Sequence, residues 1–201
     1  YDGYAFTVYQ HNVSDPNTIA NDIARIVKVD SFGRIWIGTR EGLSFYDGEK
    51  DVFRKYFHER NGNNLSVTGI AEIDRENILV STSRGLAVFH IPASRFITDT
   101  LSMAMHKLVA STLTRQGDDI YIGTDNGLYV YSIPGGHFRL LTKALENKSI
   151  QTVLRQSATR LWVATEGAGL YLINPQTQEI RKNYRHVAGD PTSLSSNYIR
   201  S

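Results

Sequence analysis

Four segments of the chain share one pattern: an apolar run, then Thr-x-x-Gly, then a second apolar run. They are IWIGTREGLSFYD (35–47), ILVSTSRGLAVFH (78–90), IYIGTDNGLYVYS (120–132) and LWVATEGAGLYLIN (161–174). The glycines of the pattern recur at steps of 43, 42 and 42 residues, as Gly42, Gly85, Gly127 and Gly169. A self-similar period of this length indicates a solenoid or a propeller.

The local pattern decides between these two architectures. Each segment joins two runs of β-branched and aromatic residues across a turn, which predicts two strands of a hairpin. We expect a three-residue loop that ends on the glycine, where positive φ is needed. The fourth copy, Thr165 to Leu170, carries one extra residue and predicts a longer turn. No segment has a helical period of useful length.

Two further strands are predicted in each period, one before and one after the hairpin. Four short antiparallel strands per period are typical of a propeller blade, so the predicted fold class is all-β, a β-propeller of four-stranded antiparallel blades. The chain is expected to hold four whole blades and two partial ones, either as a fragment of a larger closed propeller or with ends that pair with another partner. The predicted boundaries are 1–12 for the last strand of one blade, 19–59, 65–98, 108–142 and 149–186 for whole blades, and 193–201 for the start of the next.

Composition excludes several classes of protein. Hydrophobic residues make up 41% and charged residues 21%, which are globular values. A net charge of +2 is too small to indicate a nucleic-acid partner. The absence of cysteine excludes disulfides and thiolate metal sites. No uncharged apolar run is long enough for a membrane span, and no signal peptide is recognisable.

The consensus I-x-x-D-x-x-G-x-I-W-I-G-T-x-x-G-L-x-x-Y-D, followed by F-x-x-Y and D-P-x-S-L-x-x-N-x-I, resembles the two-component regulator propeller repeat. Residues 26–56 match it at nearly every position, and residues 161–199 match it again. The matching positions include Asp30, Gly33, Trp36, Gly38, Thr39, Gly42, Asp47, Phe53 and Tyr56, then Trp162, Thr165, Gly169, Asp190, Pro191, Leu194, Asn197 and Ile199. The two middle repeats lack the tryptophan, and Ser81 replaces a glycine in the second.

The resemblance implies a sensor. Such repeats form seven-bladed propellers in the periplasmic sensor regions of Bacteroidetes hybrid histidine kinases. The implied parent protein is anchored in the inner membrane as a homodimer, detects glycan-derived oligosaccharides, and regulates transcription through a phosphorelay. The implied partners of this segment are the oligosaccharide, acidic ones included, and the remaining blades and domains of the parent chain. No nucleic acid and no cofactor is implied for the segment itself.

Three histidines stand two residues after a tyrosine: His11, His58 and His186. Aligned histidines suggest a metal site, but equivalent repeat positions lie on separate blades and cannot converge on one ion. We therefore predict structural roles for them and no metal site.

Paired carboxylates would indicate a glycan-cleaving enzyme. Glu41, Asp125 and Glu166 lie in equivalent hairpins, where solvated carboxylates are common, so we predict no catalytic site. Two rival functions stay open, a propeller carbohydrate-active enzyme (hydrolase or lyase) and a protein-binding scaffold. Trp36, Trp162, Tyr121 and Leu79 share one strand position and are expected to pack between blades.

Loops between blades and the second-to-third strand hairpins share one face of a propeller, where ligands often bind. Arginine and lysine there would suit acidic or sulfated sugars. The candidate ligand-binding residues of these rim loops are Asn21, Arg40, Glu41, Ser66, Arg84, Lys107, Asp125, Asn126, Glu166 and Asn197.

Overall fold

The structure is a computed structural model that describes residues 6–57, 59–60, 63–97 and 107–200, with only the backbone described at 59–60 and 63–64. Its strands form four four-stranded antiparallel sheets, in which each strand pairs with its sequence neighbours. This confirms the predicted fold class. The chain divides into two compact units, residues 1–97 and 98–201.

The first unit contains two of these sheets and a short hairpin. The first sheet consists of β1 (Ala24–Val29), β2 (Ile35–Thr39), β3 (Gly42–Asp47) and β4 (Val52–Tyr56). The hairpin consists of β5 (Glu59–Arg60) and β6 (Asn63–Asn64). The second sheet consists of β7 (Val67–Glu72), β8 (Asn77–Thr82), β9 (Gly85–His90) and β10 (Arg95–Ile97).

The second unit contains the other two sheets, separated by a short 3-10 helix at Lys143–Leu145. The third sheet consists of β11 (Ala110–Gln116), β12 (Asp119–Thr124), β13 (Gly127–Ser132) and β14 (His137–Leu140). The fourth sheet consists of β15 (Ile150–Ser157), β16 (Arg160–Thr165), β17 (Leu170–Ile173) and β18 (Ile180–Tyr184).

The central hairpin of the first sheet has a two-residue loop, so the expected three-residue loop is wrong. Thr39 pairs directly with Gly42, which leaves only Arg40 and Glu41 in the turn. The buried Thr39 hydroxyl explains the tighter turn, because it donates to the Gly42 carbonyl at 3.0 Å and accepts the Glu41 N–H at 3.2 Å.

The same threonine hydroxyl closes the central hairpin in every sheet. It donates to the glycine carbonyl over 2.7 Å in the second and fourth sheets and 2.9 Å in the third. The fourth hairpin is longer, as predicted, because Gly167 and Ala168 extend the turn between Thr165 and Gly169. The repeated threonine and glycine are therefore one hydrogen-bonded unit.

The glycine of this unit has no room for a side chain. Gly42 has φ +130°, and a Cβ there would lie 2.7 Å from the Tyr56 carbonyl oxygen and 2.9 Å from the Phe57 ring. The strand that follows, β4, thus runs directly against the hairpin backbone. At Gly169 the neighbouring carbonyl oxygen, that of Tyr184, would be only 2.2 Å away.

The sheets of the first unit pack face to face. Trp36 and Leu43 of the first sheet contact Val67, Ile70 and Phe89 of the second, and all five are nearly inaccessible to solvent. The Trp36 and Phe89 rings meet edge to face at 5.8 Å, an arrangement that aromatic pairs favour. The predicted packing role of Trp36 is confirmed.

A small residue on the second strand lets the next sheet approach closely. A Cβ on Gly38 would lie 2.6 Å from Val67 Cγ1, and one on Gly123 would lie 2.8 Å from Ile150 Cγ2. Val67 and Ile150 each begin the innermost strand of the following sheet. The first strand residue of each of these two sheets therefore fills the space above the glycine of the preceding sheet. We call this space the slot.

In the second unit, the third sheet packs on the fourth in the same manner. Tyr121 and Leu128 contact Ile150, Val153 and Tyr171, all of which are buried. The pKa of Tyr121 is raised, mainly because burial disfavours the phenolate. The strand position that carries Trp36 in the first sheet thus carries a buried aromatic ring here too.

Of the strand expected over residues 1–12, residues 1–5 lie outside the described residues, and residues 6–12 are irregular. The Tyr9 ring nevertheless packs on Tyr46 at 5.6 Å and on Phe53 at 5.1 Å. Its hydroxyl donates to the Asp51 carboxylate at 2.6 Å, and this bond raises the pKa of Tyr9 well above its usual range and lowers the pKa of Asp51. Side-chain contacts, rather than a ladder, hold this segment on the first sheet.

Asp30 closes the turn between β1 and β2 and binds the central tryptophan. One carboxylate oxygen accepts the backbone N–H groups of Phe32 and Arg34, both at 3.0 Å. The other accepts Arg34 Nε at 2.6 Å and Trp36 Nε1 at 3.0 Å. Burial alone would raise the pKa of Asp30, but the hydrogen bonds from Trp36 and Arg34 outweigh burial and lower it.

We expect Gly42→Ala to destabilise the chain by at least about 2 kcal/mol, because the new methyl group meets backbone and the φ value is strained. Gly48→Ala is the matched control, since a Cβ there has only an ordinary 3.5 Å contact with the Tyr46 ring. Urea unfolding of both variants measures the difference. Equal stability of the two variants would contradict the tight hairpin.

We expect Asp30→Asn to cost about 1–3 kcal/mol at pH 7, because its amide NH₂ would face the N–H donors of Arg34 and Trp36. Because the pKa of Asp30 is lower in the folded state, its ionised carboxylate stabilises the fold at pH values above the unfolded-state pKa of about 3.9. This stabilisation is lost as the pH falls through the folded-state pKa. The stability difference from wild type should therefore shrink below about pH 4. Urea unfolding at several pH values tests this, with the exposed Asp118→Asn as control; a pH-independent difference would contradict it.

Candidate functional site

The tips of the four central hairpins are exposed while their bases are buried. Each threonine and glycine pair below the tip lies inside the sheet. The exposed tip residues that the sequence proposes for ligand binding are Arg40, Glu41, Arg84, Asp125, Asn126 and Glu166. Because the hydroxyl below forms the turn, these side chains are not required to hold it.

Within a sheet, the hairpin tip lies beside the start of the innermost strand. The Arg40 N–H donates to the Ile23 carbonyl at 3.0 Å. The second and fourth sheets repeat the bond, from Ser83 to Ser66 and from Glu166 to Ser149, both at 2.9 Å. Each of these sheets therefore presents its tip and its entering connection at one common end.

Two of the candidate residues in the connections are engaged in local structure. The Asn21 side-chain oxygen accepts the Ile23 N–H at 2.9 Å. The Asn197 side-chain oxygen accepts the His186 N–H at 2.8 Å, and its backbone carbonyl accepts the N–H groups of Gly167 and Gly169. Both amide side chains thus shape the loops rather than point only to solvent.

The last two candidates differ in environment. Ser66 Oγ is buried with no hydrogen-bond partner among the described residues. Lys107 is exposed in a turn that precedes β11. The candidates divide between the units, with Asn21, Arg40, Glu41, Ser66 and Arg84 in the first and Lys107, Asp125, Asn126, Glu166 and Asn197 in the second.

The fourth tip has its own hydrogen bonds. The Glu166 carboxylate accepts from Ser149 Oγ at 3.3 Å and from Gln151 Nε2 at 3.1 Å. Its backbone forms an isolated bridge with Tyr198. Glu166 is therefore partly occupied within its own sheet, whereas Glu41 lies at the mouth of a cavity.

Two of the aligned histidines close the connections that lead into a repeat, residues 11–19 and 186–194. His11 Nδ1 lies 2.8 Å from the Ile19 carbonyl oxygen, and His186 Nδ1 lies 2.7 Å from that of Leu194. A carbonyl only accepts, so Nδ1 carries the hydrogen and donates. His58 lies outside the described residues.

The two connections match atom for atom over equal spacings. The residue after each histidine donates its N–H to a hydroxyl six residues later, Thr18 in one case and Ser193 in the other. Asp15 and Asp190 each accept the N–H two residues ahead. Bonds from Thr192 lower the pKa of Asp190. No three metal-ligating side chains converge within the part of the chain that the structure describes.

We expect His186→Phe to loosen this connection, because the ring is kept but the Nδ1–H donor is lost. The predicted cost is about 1 kcal/mol, with faster hydrogen exchange at the Val187 amide. Urea unfolding and hydrogen exchange measure both effects. The exposed His137→Phe serves as control, and equal exchange in the two variants would contradict the closing role.

A cavity of about 560 Å³ opens beside the first tip. Among its lining residues, Glu41 alone is a candidate from the sequence. The cavity is lined by His11, Val13, Pro16, Ala20, Glu41, Lys55 and Phe57. The first four of these residues belong to the connection that precedes β1, and Glu41 belongs to the hairpin. Lys55 lies in β4, and Phe57 follows it.

A second cavity, of about 350 Å³, lies on the face of the fourth sheet. It is almost wholly apolar, with Leu154 60% exposed and Trp162 partly exposed. Ala164 and Ile199 also line it. Trp162 is partly exposed whereas Trp36 is buried, so the packing between blades expected for Trp162 is not seen in the described residues.

No family model and no curated protein matches the chain. Solved structures do. The extracellular domain of the hybrid two-component system protein BT3049 from B. thetaiotaomicron aligns over the whole chain with a TM-score of 0.75 and 18% identity. PorZ of Porphyromonas gingivalis, an essential surface component of the type-IX secretion system, aligns over the whole chain with a TM-score of 0.72 and 17% identity.

A further match names the architecture. The β-propeller domain of Cps50 (Swd1) from Myceliophteria thermophila aligns with 94% of the chain at a TM-score of 0.60 and 15% identity. The chain has a β-propeller fold. The resemblance found in the sequence is thereby confirmed at the level of the fold.

The propeller segment spans 27% of the BT3049 domain, 32% of PorZ and 60% of the Cps50 domain. At identities this low, the likeness of the propeller to these proteins is one of fold alone. In the described part of the propeller, no helix has the length and apolar character needed to cross a bilayer.

Proposed function

We propose that this chain is part of the extracytoplasmic ligand-sensing propeller of a two-component sensor protein. The likeness to the BT3049 extracellular domain over the whole chain supports this role, as do the repeat motifs that the chain shares with regulator propellers. A ligand would act by favouring one arrangement of the sensor over another, and the change would be passed to a kinase.

The observation that supports a binding role is that different residues of each hairpin hold the turn and face the solvent. Buried threonine and glycine hold each turn, and in the first three sheets the two exposed residues at the tip can contact a ligand. Loops held on a rigid scaffold are the usual place for binding residues. The same scaffold can therefore present different tips without a change in fold.

The proposed ligand is an oligosaccharide, and the first unit favours an acidic one. Its two tips carry the exposed cations Arg40 and Arg84, and guanidinium groups bind carboxylates and sulfates through paired hydrogen bonds. Tips of the second unit carry Asp125 and Glu166 instead. Acidic sugars are thus expected to bind the first unit.

The proposed setting is the periplasm, in a parent protein anchored in the inner membrane as a homodimer. Its remaining blades and domains, a histidine kinase among them, are the proposed partners, and a phosphorelay to transcription regulation is the proposed output. No nucleic acid and no cofactor is proposed for this segment. Catalysis is not proposed for the segment, because its tip carboxylates are distributed over different sheets.

PorZ supports a second candidate function, that of a surface component in protein export. A propeller of this kind would bind protein rather than sugar through its tips. Protein binding without sugar binding would identify this function or a more general scaffold. Turnover of a sugar substrate would instead identify a carbohydrate-active enzyme.

We expect the full chain to bind acidic oligosaccharides and Arg40→Ala/Arg84→Ala to weaken that binding at least about 10-fold, because each lost charged hydrogen bond costs about 1.5 kcal/mol or more. Calorimetry with heparin-derived and galacturonic oligosaccharides measures this. Lys50→Ala/Arg95→Ala is the matched control, two exposed cations at the opposite ends of the same two sheets. Unchanged affinity in the tip variant would refute the basic tips as the binding site.

A further inference from the structure

The cavity beside the first tip has an aromatic wall and apolar flanks. The Phe57 side chain is 41% exposed, and its ring lies against Gly42 of the hairpin. Val13 and Pro16 line the same space from the connection. Its volume falls within the range of small-ligand sites, about 300–1,000 Å³. The exposed Phe57 ring therefore offers a stacking surface to a ligand that has an apolar face.

The single lysine of the cavity is fully engaged by the protein. Lys55 Nζ donates to the Asp15 carbonyl at 2.8 Å, to Thr18 Oγ1 at 3.0 Å and to the Asn12 carbonyl at 3.4 Å. An ammonium group has three hydrogens, and these three acceptors use all of them. Lys55 therefore holds the connection and has no hydrogen bond left for an anionic ligand.

The polar groups that remain for a ligand are acceptors. The Glu41 carboxylate lies exposed at the mouth, and an ionised carboxylate only accepts. His11 donates through Nδ1 to the Ile19 carbonyl, so Nε2 of the neutral ring also accepts. A matching ligand must supply hydrogen-bond donors, not a negative charge.

We infer that this cavity binds a neutral pyranose ring. The apolar face of the sugar stacks on Phe57, and its hydroxyls donate to Glu41 and His11 Nε2. The charge of Lys55 balances that of Glu41, which disfavours a cationic ligand as well as an anionic one. The inference rests on the proposed function in taking the ligand to be a carbohydrate, but it places a separate, neutral-sugar subsite beside the basic tips.

The test is a titration of the full chain with neutral disaccharides, cellobiose, lactose and mannobiose, followed by calorimetry and by ¹H–¹⁵N NMR. Digalacturonic acid and a glucosamine dimer form the anionic and cationic arms. At least one neutral disaccharide should bind saturably and shift the Gly42 and Phe57 amide signals. Stronger binding of either charged arm at these same signals would overturn the inference.

Two variants test the assigned contacts. Phe57→Leu keeps an apolar side chain but removes the ring face, and Glu41→Gln replaces one acceptor with a donor. Each should weaken neutral-sugar binding about 10-fold, because Phe57→Leu removes the stacking face and Glu41→Gln removes a hydrogen bond to a charged group. The controls are Phe32→Leu and Glu49→Gln, an exposed phenylalanine and glutamate at the other end of the same sheet. Neutral-sugar binding that survives Phe57→Leu would overturn the inference.

The outcomes separate this inference from the proposed function. If acidic sugars bind and depend on Arg40 and Arg84 while no neutral sugar binds, the subsite is wrong and the proposed function stands. If neutral sugars bind through Phe57 while the affinity for acidic sugars does not depend on Arg40 and Arg84, the subsite stands. The assignment of acidic-sugar binding to the basic tips is then wrong. If no sugar of either class binds, both are wrong.

Discussion

A buried threonine hydroxyl under each central hairpin is the interaction on which the sheets depend. It accepts an N–H from the tip and donates to the carbonyl of the glycine beyond it. This fixes the register between the second and third strands, and register decides which side chains face the neighbouring sheet. Trp36 and Leu43 are buried because Thr39 pairs with Gly42 and not with a neighbouring residue.

The strands and their grouping into sheets could be predicted because their signals are periodic. The glycine that ends the threonine-to-glycine turn recurs every 42 or 43 residues, and each copy is flanked by strand-forming runs. The length of the loop could not be read in the same way. Glycine at the end of a turn suits several hairpins, and only the hydrogen bonds of Thr39 show that the loop has two residues. The irregular segment 6–12 likewise depends on contacts of Tyr9 that no local pattern encodes.

The candidate site was only partly visible in the sequence. Hairpin tips could be located, because they lie between predictable strands. The cavity could not, because it joins residues such as His11, Glu41 and Phe57 that are far apart in the chain. The histidines show a related difficulty. Their position two residues after a tyrosine is visible in the sequence, but the bond from Nδ1 to a carbonyl eight residues ahead is seen only in the structure.

Within each unit, the slot above Gly38 or Gly123 receives the first strand residue of the sheet that follows. Val67 and Ile150, which fill these slots, come after the fourth strand of the preceding sheet in the chain. A sheet is thus completed by residues that a ribosome adds after its fourth strand, and folding can proceed in step with synthesis, one repeat behind the growing end. A repeat that offers a small residue on its second strand can in this way accept a following repeat that begins with an apolar residue.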